Sequence, residues 1–342
     1  MPALDPSASQ SLRSVSAKLG RDPALVQGGG GNTSIKLNGV LTVKASGHWL
    51  ADAEQRDVFT RLDLHKARSI ARAGGEDFSS ALLDEDGQKP SIETAMHALM
   101  PQAAVVHAHP VALVAATLHR DARSRVADCL SDTPHAFIDY VQPGKALAEA
   151  VVSALDEHPV DALVLANHGL IVGGPDIATA AFQLRVLAGR FDTVGRDRIT
   201  RPALPDISGY TPIVSFDAKR ILERPDASEA LCAGSFAPDQ TVYLGGPSVR
   251  TKSAADAPSA IAGFLRERGV TPGLILLERT AIYRRSDLSG GARAVADFVL
   301  AVAARAPSEA TTLRLEDDRA LLGWDAEQHR QSVEAARDRG AA

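Results

Sequence analysis

Short apolar runs alternate with longer amphipathic stretches over the first 200 residues of the chain. Helical spacing of apolar residues predicts a helix over residues 11–19, after a loose tail. Two apolar runs, 35–37 and 41–44, flank Asn38-Gly39, and Asn-Gly is the preferred two-residue turn of a β-hairpin. The hairpin implies a sheet that is not purely parallel.

Further apolar patterns continue this alternation. They predict helices over residues 56–73, 92–100, 111–118, 144–155 and 176–191. They also predict strands that carry the two histidines near residue 107 and the runs 136–141, 161–166 and 170–172. Strands that alternate with helices indicate a layered α/β domain, which we expect to span residues 10–200.

The pattern changes beyond residue 200. Prolines and glycines over residues 201–215 are typical of a linker. The sequence then predicts strands over 241–244 and 274–284, helices near 254–268 and 290–305, and a polar helix over 325–337. We expect a smaller α/β extension over residues 215–342, with no recognisable catalytic motif.

Composition narrows the function classes. The chain has 342 residues, of which 45% are hydrophobic and 23% charged, and a net charge of −5. Its scattered basic residues argue against a nucleic-acid partner. The N-terminus lacks the apolar core of a signal peptide, no run approaches the roughly 20 residues of a membrane span, and the two cysteines lie far apart. We expect a cytoplasmic protein without a membrane partner.

Three histidines are candidates for one metal site. His107 and His109 lie two residues apart on a predicted strand, so their side chains point to the same face and could bind Zn²⁺. A hydrogen-bonded pair that lines a cleft would show the same spacing. His168 follows an apolar strand and precedes Gly169, where the backbone can turn, as a third ligand would require. Three protein ligands leave one position open for substrate.

Glu93 is the candidate acid/base. It follows Ser91, the predicted N-cap of a helix that leads directly to the histidine strand. A carboxylate beside a divalent metal is a usual arrangement for proton transfer at carbon. An acidic residue in a first helical turn is also explained by the helix dipole alone.

A glycine-rich run over residues 28–34 is the candidate anion site. Its consecutive N–H groups can form a nest for an anion, although a flexible turn is the simpler alternative. The run lacks the spacing of a dinucleotide fingerprint and the Lys-Ser/Thr of a P-loop. The residues available to an anion here and at two nearby element ends are Gly31, Asn32, Thr33, Ser34, Ser46, Gly47 and Ser91.

Five motifs together resemble one family. The motifs are Gly-Gly-Asn-Thr-Ser (30–34), Ser46-Gly47, Pro-Ser-Ile-Glu (90–93), His-Ala-His (107–109) and Asn-His-Gly-Leu (167–170). In this order they resemble the class II aldolase/adducin family. Through residues 43–47 and 238–244 the wider chain is also similar to the aldolase half of bifunctional rhamnulose-phosphate aldolase/alcohol dehydrogenases.

The resemblance implies a role for each site residue. It implies zinc ligands at His107, His109 and His168, with another divalent metal as an alternative, and a catalytic acid/base at Glu93. It implies that the substrate phosphate is held by Asn32, Ser46, Gly47 and Ser91, and we add Gly31 and Thr33 from the glycine-rich run. The implied fold is a three-layer αβα sandwich around a mixed, mainly antiparallel sheet, in a homo-oligomer that is commonly a tetramer.

The implied activity is that of a zinc-dependent, aldolase-type lyase. It would act through a metal-stabilised enediolate on a small, phosphorylated hydroxy-carbonyl compound. An epimerase, a decarboxylase or a dehydratase on the same scaffold, or a non-catalytic adducin-like module, are the alternatives. Two positions depart from the family pattern. Ile92 stands where the family has a second serine. The family also has a tyrosine shortly after the two histidines, whereas Tyr140 lies much further along this chain.

Overall fold

A computed structural model describes residues 6–84, 87–192, 204–322, 332–333 and 336–337. We call residues 6–192 the first unit and residues 204–322 the second unit. The strands of the first unit are β1 (Asn32–Leu37), β2 (Val40–Lys44), β3 (Phe59–Asp63), β4 (Ala104–Ala108), β5 (His135–Ile138), β6 (Ala162–Leu165) and β7 (Gly169–Gly174). They form one sheet in the order β3-β2-β1-β4-β7-β6-β5. Only β5 and β6 pair in parallel, so the predicted mixed, mainly antiparallel sheet is confirmed.

Helices cover both faces of this sheet. They are α1 (Pro6–Gly20), α2 (Leu64–Arg72), α3 (Thr94–Leu99), α4 (Val111–Thr117), α5 (Ala122–Cys129), α6 (Lys145–Glu157) and α7 (Ile177–Gly189). Val106 and Val172 pack into an apolar cluster with α1 and α7. Their neighbours Val105 and Ile171 point to the other face and pack with α2, α3 and α6. These two clusters make the predicted αβα sandwich.

The predicted hairpin is present. Asn38 and Gly39 both have positive φ, 51° and 78°, as a tight turn between β1 and β2 requires. On its other edge β1 pairs with β4 in a register that sets Asn32 opposite His107. The hairpin therefore brings the glycine-rich run beside the histidine strand.

Three predictions in the first unit are wrong. The helix predicted over 56–73 is β3 followed by α2, because Phe59–Asp63 pairs along its whole length with β2. The helix predicted to follow Ser91 begins only at Thr94, with Glu93 as its N-cap. The loose tail ends earlier than predicted, since α1 already begins at Pro6.

The second unit has its own sheet. Its strands β8 (Tyr210–Ile213), β9 (Val249–Thr251), β10 (Leu274–Leu277) and β11 (Ala281–Arg285) lie in the order β8-β11-β10-β9. Its helices are α8 (Phe216–Glu223), α9 (Pro225–Ala233), α10 (Pro238–Leu244), α11 (Ala257–Arg268), α12 (Gly290–Ala303) and α13 (Leu315–Leu322).

Two predictions in this part are also wrong. Residues 241–244 belong to helix α10, because Pro238 occupies its first turn and Gly245, with φ of 79°, ends it. The predicted linker contains β8, which pairs with β11. Most of the helix predicted over 325–337 lies outside the described residues.

The two units share an apolar core through α4. This helix starts two residues after His109, and its buried face packs with the helices and sheet of the second unit. The residues of that face are Val111, Val114, Ala115 and Leu118. Within the described residues, no helix combines the length and apolar character needed to cross a membrane.

Candidate metal centre

His107 and His109 converge as the strand periodicity predicts. His107 lies on β4 and His109 one residue beyond its end, and both side chains are buried. Their Nε2 atoms are 3.1 Å apart. The Nδ1 atom of His107 faces the carbonyl oxygen of Leu170 at 3.1 Å. Because that oxygen can only accept, His107 carries its proton on Nδ1 and presents a lone pair on Nε2.

His168 joins them from the turn between β6 and β7. The centroid of its ring is 5.0 Å from that of His107 and 5.2 Å from that of His109. Gly169 follows, and a Cβ there would overlap the backbone carbonyl of Ala108. Glycine is therefore required for β7 to approach β4 and bring His168 beside the other two rings.

Glu93 completes the cluster. Its Oε1 is 3.0 Å from Nε2 of His168 and 3.4 Å from Nε2 of His107. Its Oε2 accepts a short hydrogen bond from the side-chain amide of Asn32. One ligand atom from each of the four residues lies within 4.8 Å of the others, and all four residues are buried.

The donor set fits a divalent metal. Four ligands about 2.1 Å from a tetrahedral ion are about 3.4 Å from one another. The shortest separations in the cluster are 3.0, 3.1 and 3.4 Å. Imidazole nitrogens that face each other and a carboxylate are the ligands that zinc accepts. A cation between them would relieve the repulsion of their lone pairs.

Burial and charge set the protonation of the cluster. Burial alone raises the pKa of Glu93, but His107 and His168 outweigh it and bring the pKa well below the ordinary value. Burial lowers the pKa of His109 to about 3. His109 is therefore neutral at pH 7, as a metal ligand must be, and Glu93 is ionised, as a proton acceptor must be.

The glycine-rich run lies against the cluster. A Cβ on Gly30 would be 3.1 Å from Nδ1 of His109, so only backbone fits there. Gly28 and Gly31 have positive φ, 54° and 65°. The buried Lys44 donates to the carbonyl of Gly29 at 2.6 Å and fixes the run from the side of β2.

The other residues predicted to hold an anion border this run. The backbone N–H of Ser46 donates to the carbonyl of Lys89, and that of Ser91 donates to the carbonyl of Lys44. These bonds bring Ser46 beside Ser91. The carbonyl of Gly47 would be 3.7 Å from a Cβ on Gly29.

Two hydroxyls predicted for the anion site are engaged elsewhere. Thr33 Oγ1 hydrogen bonds to Ser16 Oγ of α1 at 2.7 Å, on the opposite face of the sheet from Asn32. Ser34 Oγ hydrogen bonds to His97 Nδ1 at 2.8 Å. Side chains alternate between the two faces of the sheet along β1, so Thr33 contacts α1 and Ser34 contacts α3 on the other face. We leave both hydroxyls out of the proposed anion site.

Sequence reasoning missed one carboxylate. Asp239, on α10 of the second unit, is 8% exposed, and its Oδ2 lies 3.8 Å from Nδ1 of His109. The sequence signal available here was Pro238-Asp239, a pair typical of the first turn of a helix, which would have predicted α10. Tyr140 packs with Val242 of α10 and Leu321 of α13, and its hydroxyl has no hydrogen-bond partner among the described residues.

Comparison with known proteins gives the family. Residues 10–192 match the family described as the class II aldolase and adducin N-terminal domain. This match covers more than half of the chain, which therefore belongs to that family. The family resemblance of the motifs is thereby confirmed.

One curated relative is the uncharacterized oxidoreductase YuxG of Bacillus subtilis. It is 27% identical over 221 residues, which are 60% of this chain and 32% of that protein. The chain thus spans about a third of the length of this relative. An oxidoreductase that contains this region agrees with the resemblance to the aldolase half of a bifunctional aldolase/dehydrogenase.

Three solved structures are similar to a little over half of this chain. The N-terminal class II aldolase domain of a conserved Thermoplasma acidophilum protein is 26% identical, with a TM-score of 0.49 over 56% of this chain and 94% of that one. YgbL of Klebsiella pneumoniae, titled a putative aldolase/epimerase/decarboxylase, is 21% identical, with a TM-score of 0.42 over 55% and 88% of the two chains. The L-fuculose-1-phosphate aldolase of Thermus thermophilus is 20% identical, with a TM-score of 0.38 over 55% and 93%.

Proposed function

We propose that this protein is a zinc-dependent lyase that breaks or forms a carbon–carbon bond in a small, phosphorylated hydroxy-carbonyl compound. The observation that carries the proposal is the buried convergence of Glu93 with His107, His109 and His168. The four-residue set argues against a non-catalytic module, which would have no use for ionisable groups buried together at such desolvation cost.

Each residue of the cluster has a proposed role. A divalent cation held by the three histidines would supply Lewis-acid stabilisation of negative charge on the substrate oxygens. Glu93 is ionised and would accept and return the proton at the carbon next to the carbonyl group. Asn32 donates to Oε2 of Glu93 and would keep the carboxylate in one orientation during that transfer.

The phosphate would bind away from the reacting carbon. The backbones of Gly31 and Gly47 and the side-chain amide of Asn32 would provide N–H donors, and Ser46 and Ser91 would provide hydroxyl donors. The positive φ of Gly31 and Gly47, 65° and 76°, favours glycine at both positions. Binding energy from the phosphate could then orient the substrate at the metal.

Metal content is the first test. We expect the purified protein to contain one divalent ion per chain, measured by elemental mass spectrometry. His168→Ala should lose the ion, whereas His158→Ala, which changes an exposed histidine outside the cluster, should keep it. Chelation should abolish activity and added Zn²⁺ should restore it. Full activity in metal-free protein would refute the proposal.

The reaction is tested on a panel of phosphorylated ketoses and oxo-acid phosphates, with product identification by mass spectrometry. An aldehyde together with a second, shorter carbonyl compound indicates aldol cleavage. An isomer, released CO₂ or a loss of water would instead indicate an epimerase, a decarboxylase or a dehydratase on the same site.

Glu93→Gln tests the acid/base. It should keep the metal and lower kcat by about 10²–10⁴-fold, because a positioned acid/base contributes that much. Glu157→Gln, an exposed carboxylate on α6, is the matched control and should be unchanged. Loss of the metal with surviving turnover would show that Glu93 serves only as a ligand.

Three further expectations stay predictions. They are the cytoplasmic location, the homo-oligomeric and possibly tetrameric assembly, and the division of the chain into domains over residues 10–200 and 215–342. Sedimentation of the purified protein tests the assembly state.

A further inference from the structure

Asp239 belongs to the second unit, yet its carboxylate faces the metal centre. It lies in the first turn of α10, is nearly buried, and has its Oδ2 3.8 Å from Nδ1 of His109. The other nitrogen of this ring, Nε2, faces His107. We propose that Asp239 is a positioning residue that orients His109 for metal binding. The proposal rests on the metal centre assigned above.

The chemistry of the ring explains what such a carboxylate does. An imidazole binds a metal through one nitrogen and carries its proton on the other. A carboxylate beside Nδ1 favours the tautomer with the proton on Nδ1 and leaves the lone pair of Nε2 for the metal. Leu170 does the same for His107 with its backbone carbonyl. Two ligands would thus be oriented by two different partners, one from each unit.

The second unit also holds the backbone next to His168. Asn167 has a positive φ of 55°, and its side-chain amide donates to the carbonyls of Phe236 and Thr311, at 3.1 and 3.0 Å. Phe236 lies just before α10. The segment that supplies Asp239 is therefore fixed to the turn that supplies His168, so the orientation of the carboxylate is coupled to the geometry of the cluster.

The face of α10 that carries Asp239 also lines the glycine-rich run. Tyr243 is one helical turn later, and its hydroxyl would be 3.8 Å from a Cβ on Gly29. On the neighbouring helix α12, the Cα of Gly291 would be 3.0 Å from a Cβ on Gly28. The second unit thus forms one wall of the site, and Asp239 is part of that wall.

Helix capping is the competing explanation for Asp239, since an acidic residue complements the dipole at a helix start. The chain provides a matched control in α9, which also begins with Pro-Asp. Asp226 occupies the equivalent position there and bonds to Arg224 at 2.6 Å. Asp226→Asn removes the dipole contribution together with the ion pair to Arg224, without touching the metal centre.

The test measures metal affinity by competition with a chromophoric zinc chelator, together with urea unfolding of the metal-free protein. Asp239→Asn should weaken zinc binding by about 10–100-fold, as loss of a partner to a ligating histidine usually does. Asp239→Glu should recover part of the affinity, because it restores a carboxylate. Asp226→Asn should bind zinc like the wild type although it loses the dipole contribution and the ion pair with Arg224.

The outcomes separate this proposal from the proposed function. If the wild type binds zinc and Asp239→Asn binds it equally well, the positioning role is refuted while the metal centre stands. If Asp239→Asn keeps its zinc affinity but loses turnover at saturating metal, Asp239 acts on substrate, and the positioning role is again refuted. If the wild type binds no divalent ion, both proposals fail.

Discussion

Gly169→Ala is the substitution that should separate the strands of the metal centre. A Cβ at this position would lie 3.1 Å from Cδ2 of His109 and would overlap the carbonyl oxygen of Ala108 by about 1 Å. The obstacle is backbone rather than a flexible side chain. The strands β4 and β7 must therefore move apart at the end where they carry the ligands.

The size of the effect follows from what that movement disrupts. Overpacking costs about 1–3 kcal/mol. The pairs Ala108–Leu170 and Leu165–Gly169 end their ladders here, and a weakened hydrogen bond costs about 1 kcal/mol. We expect a loss of about 3 kcal/mol in the free energy of unfolding. Because the shift also displaces His168, zinc affinity should fall by about 10–100-fold.

Gly173→Ala is the control on the same strand. Its Cβ would meet the side chain of Gln102, which can turn away at the cost of its hydrogen bond to the carbonyl of Val160. We expect a loss of about 1 kcal/mol and unchanged zinc affinity. Urea unfolding of the metal-free proteins and zinc titration measure both quantities. Equal stability and zinc affinity in the two variants would refute the steric reasoning.

Two further predictions concern buried polar residues beside the site. Lys44→Met should lower the free energy of unfolding by about 1–3 kcal/mol, because it leaves the carbonyls of Gly29 and His48 without their donor. Urea unfolding that gives the variant the stability of the wild type would contradict this. Burial lowers the pKa of His97 to about 3, so the folded protein keeps this ring neutral while the unfolded chain protonates it below about 6.5. Stability should therefore fall as the pH drops from 6.5 towards 3. His97→Asn, whose amide can replace Nδ1 beside Ser34, should reduce that dependence, and an unchanged slope between pH 7 and pH 5 would count against it.

The sequence predicts the convergence of the three histidines because their positions are fixed by local rules. The period of two along a strand places His107 and His109 on one face. Their Nε2 atoms are 3.1 Å apart, as this placement predicts. Gly169 marks the turn that brings in His168, and the contact with Ala108 gives the steric reason. These features need no knowledge of distant contacts.

The predictions that fail depend on tertiary partners. Phe59–Asp63 has apolar residues that fit a helix or a strand, and pairing with β2 decides for a strand. Residues 241–244 have strand-forming side chains, yet Pro238 and Gly245 bound a helix that packs against α12. In the sequence the hydroxyl of Thr33 is a candidate to bind an anion, but in the fold it hydrogen bonds to Ser16 of α1.

The contribution of the second unit to the site is the largest omission. The Pro-Asp start and the family-like run over residues 238–244 mark this segment but do not link Asp239 to a metal, because His109 is 130 residues away in the chain. Only the packing of α10 against the first unit brings them together. A carboxylate that orients a ligand has no spacing rule of its own, so it can be found only from coordinates.

The apolar face of α4 has a consequence for how the protein can be divided. Val111 and Val114 are core residues of the second unit, although they follow His109 of the candidate metal centre by only a few positions. A fragment ending near residue 200 would expose this face to water, and the helix that anchors the ligand strand would lose its support. The family region and its extension are therefore expected to unfold as one cooperative body. Metal bound in one half would then protect the other half as well.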